Sequence, residues 1–374
     1  MKKKLLALVC ALVMIFSLAS CGLSTPDTVG KVGDFEVSSG LYLLAQFSAY
    51  QQAAQLAGKD QDTTDVKAFL KETITTDADS GETAVVQDYV ADKTLETLRT
   101  FAAIDARFAD LGGELTAEQT QVADNYAQQL MDQYGSTYTA NGIGLETLKA
   151  FERIQLKHTL LLTLVYGPDG ESPVDDSDLT EHLDSQMYEL AYVNIPLYNT
   201  STFVFASDDQ KAQMLQLAQA AAASCSETQD GSVSEQVSAL HSAASAALPD
   251  IYAVLDGTPS SDAASLSTAL LGAADIDSTF SEEGAAADAV RGLVYGEAAA
   301  VQYNAASIIL MMRIDPLQVS TLDALRTQIL SDMKGDELED ALTAYGSTLE
   351  NDLSTSAMNK MPASKIVNPS SSSN

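Results

Sequence analysis

The sequence predicts an α+β fold that is mostly α-helical. Four helix-period stretches follow one another between residues 38 and 166 with no strand pattern between them. Two strand-like runs, YELAYVNIPLYN (188–199) and SIILMMRI (307–314), bracket an Ala- and Ser-rich region, and a long helical pattern, 322–349, comes after them. Consecutive helices argue against a doubly wound α/β sheet, in which strands and helices alternate.

The elements follow in chain order. Val29, Lys31, Gly33 and Phe35 alternate around Val32 in a short strand or turn, and Ser38 is placed to cap a helix. Leu43, Phe47, Tyr50 and Ala54 then recur on one helical face. Residues 58–82, rich in Asp, Thr and Gly, read as a loop with a short helix around Val66–Leu70. A long helix from about Val85 to Leu111 carries Leu98, Phe101, Phe108 and Leu111 on a stripe and stops at Gly112-Gly113. Thr116 with Gln119 forms a capping box for a helix reaching Tyr134. The next, Leu145–Tyr166, turns Leu148, Phe151, Leu161, Leu162 and Val165 inward. GPDGESP (167–173) breaks the pattern, and Asp175 and Asp178 start a short helix containing Leu179, His182 and Leu183. Beyond the first strand, Asp208–Ala223 is a good helix, Val237–Leu248 a weaker one, and Gly296 a turn. The last helix is entered through Ser320, and its two apolar stripes are offset around Gly335, where a bend is expected. NPSSSSN closes the chain with the composition of a disordered tail.

The N-terminus, MKKKLLALVCALVMIFSLASCG, has three lysines, an apolar run from Leu5 to Leu18 and small residues before a cysteine, the form of a secretory signal. The run is shorter than the ~20 residues that span a bilayer. Leu18-Ala19-Ser20-Cys21 resembles the bacterial lipoprotein box, which implies cleavage before Cys21 and a diacylglycerol on its sulfur, with the body held at the outer leaflet. Cys10 would leave with residues 1–20, so Cys225 would have no partner for an intramolecular disulfide and reads as a buried filler. Without Lys2, Lys3 and Lys4 the chain keeps 17 basic residues against 52 acids, a formal −35. Such a body repels phosphate backbones, so nucleic acid is not expected as a partner.

The chemistry on offer is thin. No G-x-S-x-G, H-E-x-x-H, phosphate loop or dinucleotide fingerprint occurs, so no cofactor is expected. The scattered acids lack the spacing of a calcium loop, and the three dispersed histidines do not make a zinc site. His158 falls near an apolar stripe and reads as a core-edge residue. Acidic pairs such as Asp208-Asp209 lie at helix starts, where they complement the macrodipole.

The order of parts resembles the SurA and PrsA type of exported foldase. KVGDFEVSSGLY (31–42) is similar to the family's "V-NG-I-F" entry, KTLETLRTFAAIDARFADLGGELTAEQ (93–119) to its hallmark helix pair, and PVDDSDLTEHL (173–183) to its hinge into a parvulin domain. The resemblance implies a signal peptide (1–20), a linker (21–28), a helical SurA-like domain (29–173), a hinge helix (174–187), a parvulin-like α+β domain (188–316), a C-terminal helical segment (317–362) packing on the first domain, and a disordered tail (363–374). In that family the first parvulin strand carries a histidine where Asn194 stands in Ala191-Tyr192-Val193-Asn194-Ile195-Pro196, and a second histidine stands where this chain has Ser307. The family's loop with its acidic or thiol residue has no counterpart in the Ala/Ser-rich region.

Asn194 and Ser307 are thus expected as vestigial isomerase positions, since neither side chain exchanges donor and acceptor roles as an imidazole does. Asn194 can also be read simply as a strand residue satisfied by a neighbouring backbone group. The resemblance implies a membrane-anchored extracytoplasmic chaperone or foldase that binds unfolded exported polypeptides, its parvulin-like domain without isomerase activity. Two alternatives stand beside it: an active peptidyl-prolyl cis-trans isomerase, and a lipoprotein that captures a solute or cell-wall component.

Overall fold

The computed structural model describes residues 26–59, 65–78, 80–280 and 284–368. The stretch read as a signal, Cys21 and most of the expected linker lie outside the described residues. The fold is α+β and mostly helical. Its helices are α1 (Ser39–Leu56), α2 (Val86–Asp110), α3 (Ala117–Ala140), α4 (Leu145–Tyr166), α5 (Asp176–Gln186), α6 (Asp208–Ala223), α7 (Val233–Ala253), α8 (Ala273–Thr279), α9 (Gly284–Gly292) and α10 (Leu322–Thr348), with short helical turns besides. The strands are β1 (Thr28–Val32), β2 (Phe35–Ser38), β3 (Thr73–Asp77), β4 (Glu82–Val85), β5 (Tyr188–Pro196), β6 (Ser267–Leu271), β7 (Ala298–Asn304), β8 (Ser307–Ile314) and β9 (Asn351–Leu353). Among the described residues no helix is long and apolar enough to cross a membrane. The chain divides into two compact units, one of residues up to 165 together with 336 onward, the other of residues 166–335.

In the first unit, the Ser38 hydroxyl accepts from the Leu41 N–H and starts α1, and Thr116 and Gln119 form a reciprocal capping box on α3. Helix α1 is buried nearly all round. Leu44 and Phe47 pack with Ala127, Ile143 and Leu148, while Tyr50 meets Phe69 edge to face in a second cluster. Gln46, buried in this helix, donates to Tyr42 Oη and to the Met361 carbonyl, so burial leaves its N–H groups paired. The segment read as a loop at 58–82 contains β3 and leads into β4, the two forming a hairpin in which the β-branched TITT run pairs with ETAV, with Gly81 at φ +71° between them. A three-stranded antiparallel sheet, β2-β1-β9, joins the two ends of the chain. Gly30 makes that possible: at φ +123°, with a Cβ that would lie 2.1 Å from the Asp352 carbonyl oxygen, the position admits no side chain.

Two expectations need correction here. The tail does not begin at 363: the Asn141 amide donates to the Val367 carbonyl and accepts from its N–H, so the chain stays docked to at least that residue. Helix α10 is entered from Thr321, whose hydroxyl accepts from the Ala324 N–H, rather than from Ser320.

In the second unit, a four-stranded antiparallel sheet has the order β6-β5-β8-β7. Its central strands β5 and β8 pair over eight residues. On one face Val193, Ile195, Leu197, Leu310 and Met312 pack under α6 and α7; on the other Leu190, Ile309 and Met311 meet α8 and α9. Apolar cover on both faces explains why SIILMMRI is a continuous apolar run rather than an alternating one. Residues 322–335 of α10 belong to this unit, not to a C-terminal segment beginning at 317. Polar contacts explain the shift: buried Arg326 binds Asp176 and Asp323, His182 Nε2 lies 2.6 Å from Asp332, and Gln328 donates to the Leu270 carbonyl of β6.

Candidate functional site

The opening of the site is set by strand register. Asn194 of β5 lies opposite Ile309 of β8, and Pro196 opposite Ser307. Directly opposed residues in an antiparallel pair share a face, so Asn194 and Ser307 are diagonal neighbours on the α8/α9 side, with Cβ atoms roughly 7 Å apart. Their environments differ. Asn194 is exposed, whereas Ser307 is 6% exposed and its hydroxyl donates to Asn304 Oδ1 at 3.0 Å. Asn304 also accepts from the Ala306 N–H, so Ser307 belongs to the structure of the β7–β8 turn. The amide that interrupts YELAYVNIP therefore belongs to an exposed strand residue.

Asn194 stands beside a cavity of about 230 Å³ walled by Leu190, Tyr192, Phe280, Tyr303 and Ile309, with Ala269, Leu271 and Thr279 completing it. Phe280 and Tyr303 meet edge to face, their centroids 5.5 Å apart. Among the described residues the lining carries no carboxylate, histidine, lysine or arginine. Pockets for drug-sized ligands run to about 300–1,000 Å³, so this one has room for a single apolar side chain or ring and not for a whole small molecule. Its chemistry is apolar contact plus the Asn194 amide and the hydroxyl groups of Tyr192, Tyr303 and Thr279, which can donate to and accept from a peptide group.

Two larger cavities, of about 410 and 530 Å³, lie in the first unit along the returning C-terminal segment. Several polar side chains on their walls are already committed: Gln46 to Tyr42 and Met361, Asn141 to Val367, and Thr94 to the Val90 carbonyl. They are gaps beside packed chain, not built sites.

Other candidates resolve as structural. Cys225 is buried beside the Ala221 carbonyl, and burial pushes its thiol up from the ordinary value, the opposite of activation. His158 pairs with Glu339 at 3.1 Å. No group of three or more His, Cys, Asp or Glu residues among the described residues could hold a metal ion. Sequence reasoning missed Phe280 and Tyr303, the aromatic walls, because β6, α8 and β7 lie in or beside Ala/Ser-rich sequence. The alternation of Val301 and Tyr303 was the available signal.

No family model matches the sequence. No curated protein matches it either. Among solved structures the chain is similar to one described as "Crystal structure of foldase protein PrsA from Streptococcus pneumoniae str. Canada MDR_19A", with 12% sequence identity and a TM-score of 0.36, over 76% of this chain and 97% of that one.

Proposed function

We propose that this chain is a lipid-anchored extracytoplasmic chaperone of the foldase type, which holds unfolded exported polypeptides by their apolar side chains. The observation that carries the reading is the side-chain-sized aromatic pocket on the sheet face, open beside the exposed Asn194 amide and lined, among the described residues, by no histidine, carboxylate, lysine or arginine. A pocket of this kind takes one apolar residue or a proline ring from an extended segment and lets it go again, since a single buried side chain gains only about 1.5–3 kcal/mol. The membrane link rests on the leader and Cys21, and it predicts that Cys21→Ser releases the chain from the membrane fraction.

The test is suppression of aggregation. The full chain at near-stoichiometric ratio should keep a chemically unfolded exported protein in solution, and Tyr303→Ala or Phe280→Ala should weaken that effect. A chain that leaves aggregation unchanged overturns the reading. Turnover of a proline peptide is expected to stay at the uncatalysed rate. The second reading, an active isomerase, is favoured by the placement of Asn194 and Ser307 on one face of adjacent strands; cis/trans acceleration lost in Asn194→Ala would establish it instead.

A further inference from the structure

Two residues beyond β5 the chain forms a loop, Tyr198–Phe205, that presents three consecutive large apolar side chains to water. Phe203 is 73% exposed, Val204 64% and Phe205 61%. The loop is built rather than slack. Tyr198 and Phe205 are bridged as strand partners, and Asn199 Oδ1 accepts from the Ser201 and Thr202 N–H groups. The Asn199 Nδ2 group donates to the Leu255 carbonyl, tying the loop to the end of α7. The Asn199 N–H donates to the Val204 carbonyl, and the Phe203 N–H donates to the Asn199 carbonyl. Phe203 is held at φ +56°, a left-handed conformation that a bulky residue adopts only when its surroundings impose it. Tyr198 stacks on Phe203 and tilts against Phe205, so the aromatic side chains form a supported platform. Strain and exposure cost stability, and apolar side chains held open in this way mark an interaction surface.

Charge identifies the occupant. Asp208 and Asp209 are exposed just after the loop, and exposed Asp256 follows Leu255, to which Asn199 is bonded. Burial first, then Tyr198 and exposed Asp262, push the Tyr252 phenol above its ordinary value. Lys211 is the single Lys or Arg between Lys157 and Arg291, and it lies 3.5 Å from Asp208. An aromatic platform rimmed by carboxylates fits a cationic and apolar partner, and it repels an anionic lipid surface.

We propose that the Tyr198–Phe205 loop is a docking platform for extended polypeptide segments in which large apolar side chains alternate with lysine or arginine. The assignment rests on the chaperone reading above and adds to it a specific surface and a sequence preference. Asn194 precedes the loop by four residues, about 13 Å of extended strand, so a single extended segment could reach from the sheet pocket to the platform.

The probes are two fluorescein-labelled twelve-residue peptides, one alternating phenylalanine or leucine with lysine, the other with aspartate in place of lysine. The full chain should bind the lysine peptide about tenfold or more tightly than the aspartate peptide. The double variant Phe203→Ser/Phe205→Ser should lose about tenfold in affinity for the lysine peptide while keeping the parent's circular dichroism and melting midpoint. Should that variant misfold, Asp256→Asn/Asp262→Asn, changed only at exposed carboxylates, should reduce the preference for lysine over aspartate. A chain that suppresses aggregation but binds the two peptides equally, or whose folded variants bind as the parent does, overturns the platform and leaves the chaperone reading standing. A chain that neither suppresses aggregation nor binds either peptide overturns both. Binding to phosphatidylcholine vesicles that falls in the Phe203→Ser/Phe205→Ser variant, with peptide binding unchanged, would assign the loop to lipid and overturn the proposal.

Discussion

The guanidinium of Arg313 lies over the ring of Tyr295, 4.7 Å from its centroid, and it covers Tyr188 from 4.3 Å as well. Its Nη atoms donate to the carbonyls of Asp184, Met187 and Leu293. One side chain of β8 thus binds the end of α5, the start of β5 and the segment before β7. The planar fork does this in a way an ammonium group does not. Arg313→Lys should lower the stability of the second unit by about 1–2 kcal/mol, and Arg313→Met by about 2–4 kcal/mol because three carbonyls lose their donor. Urea unfolding followed by tyrosine fluorescence measures the difference; an unchanged midpoint in both variants would refute the role.

Tyr295 also donates to Asp184 Oδ1 at 3.0 Å. Burial first, and then the Asp184 carboxylate, push its phenol up to about 12. The folded value lies above the ordinary value of 10, so the stability it contributes is full below about pH 10 and is lost as pH rises toward 12. Spectrophotometric titration should find one tyrosine ionising last, and Asp184→Asn should bring it down.

Acid should act on the first unit through Glu339. His158, its ion-pair partner 3.1 Å away, holds this carboxyl below its ordinary value of 4.5. Its contribution is therefore present above that value and lost as pH falls through the lower folded one. Because Glu339 is half exposed, the effect is small, within about 1 kcal/mol. Glu339→Gln should flatten the acid limb of the stability curve below about pH 4.5 and leave the neutral region within about 0.5 kcal/mol of the parent.

Gly30→Ala tests the sheet that joins the ends of the chain. A Cβ there meets the Asp352 carbonyl oxygen and a backbone conformation L residues avoid. The variant should lose about 2–4 kcal/mol in the first unit. Amide exchange at Leu353 should rise more than exchange in the second unit; equal protection in parent and variant would show that β9 does not depend on the glycine.

Asn194→Ala, at an exposed position, should change stability by no more than about 0.5 kcal/mol, whatever it does to peptide binding. A larger loss would mean that the amide supports the sheet.

Strong local signals made the helices legible. Ser38, the Thr116–Gln119 box and the Asp208–Ala223 pattern each mark a terminus through its own unpaired N–H groups, and the structure has caps or boundaries at those places. Strands β3 and β4 were hidden because a two-stranded hairpin of four- and five-residue strands leaves too few alternations to distinguish from a loop. Strands β6 and β7 were hidden by alanine, which has no preference for a pleated surface; their place comes from pairing with β5 and β8 across many residues. For the site, Asn194 was legible as an oddity in a strand, but the pocket beside it was not. Phe280 and Tyr303 come together only when the sheet and α8 assemble. The separation of α10 into parts serving different units rests on Arg326, Asp332 and Gln328, whose partners are distant in sequence.

The pairing of β1 with β9 has a consequence for synthesis. A chain delivered from its N-terminus would present Thr28–Val32 first and Asn351–Leu353 some 320 residues later. Residues 166–335 are contiguous and have all their strands in hand before that closing strand arrives. The interrupted half must therefore wait, its earliest strand open on one edge, until Asn351–Leu353 emerge. A stop codon placed before Asn351 would spoil the part made first and spare the middle.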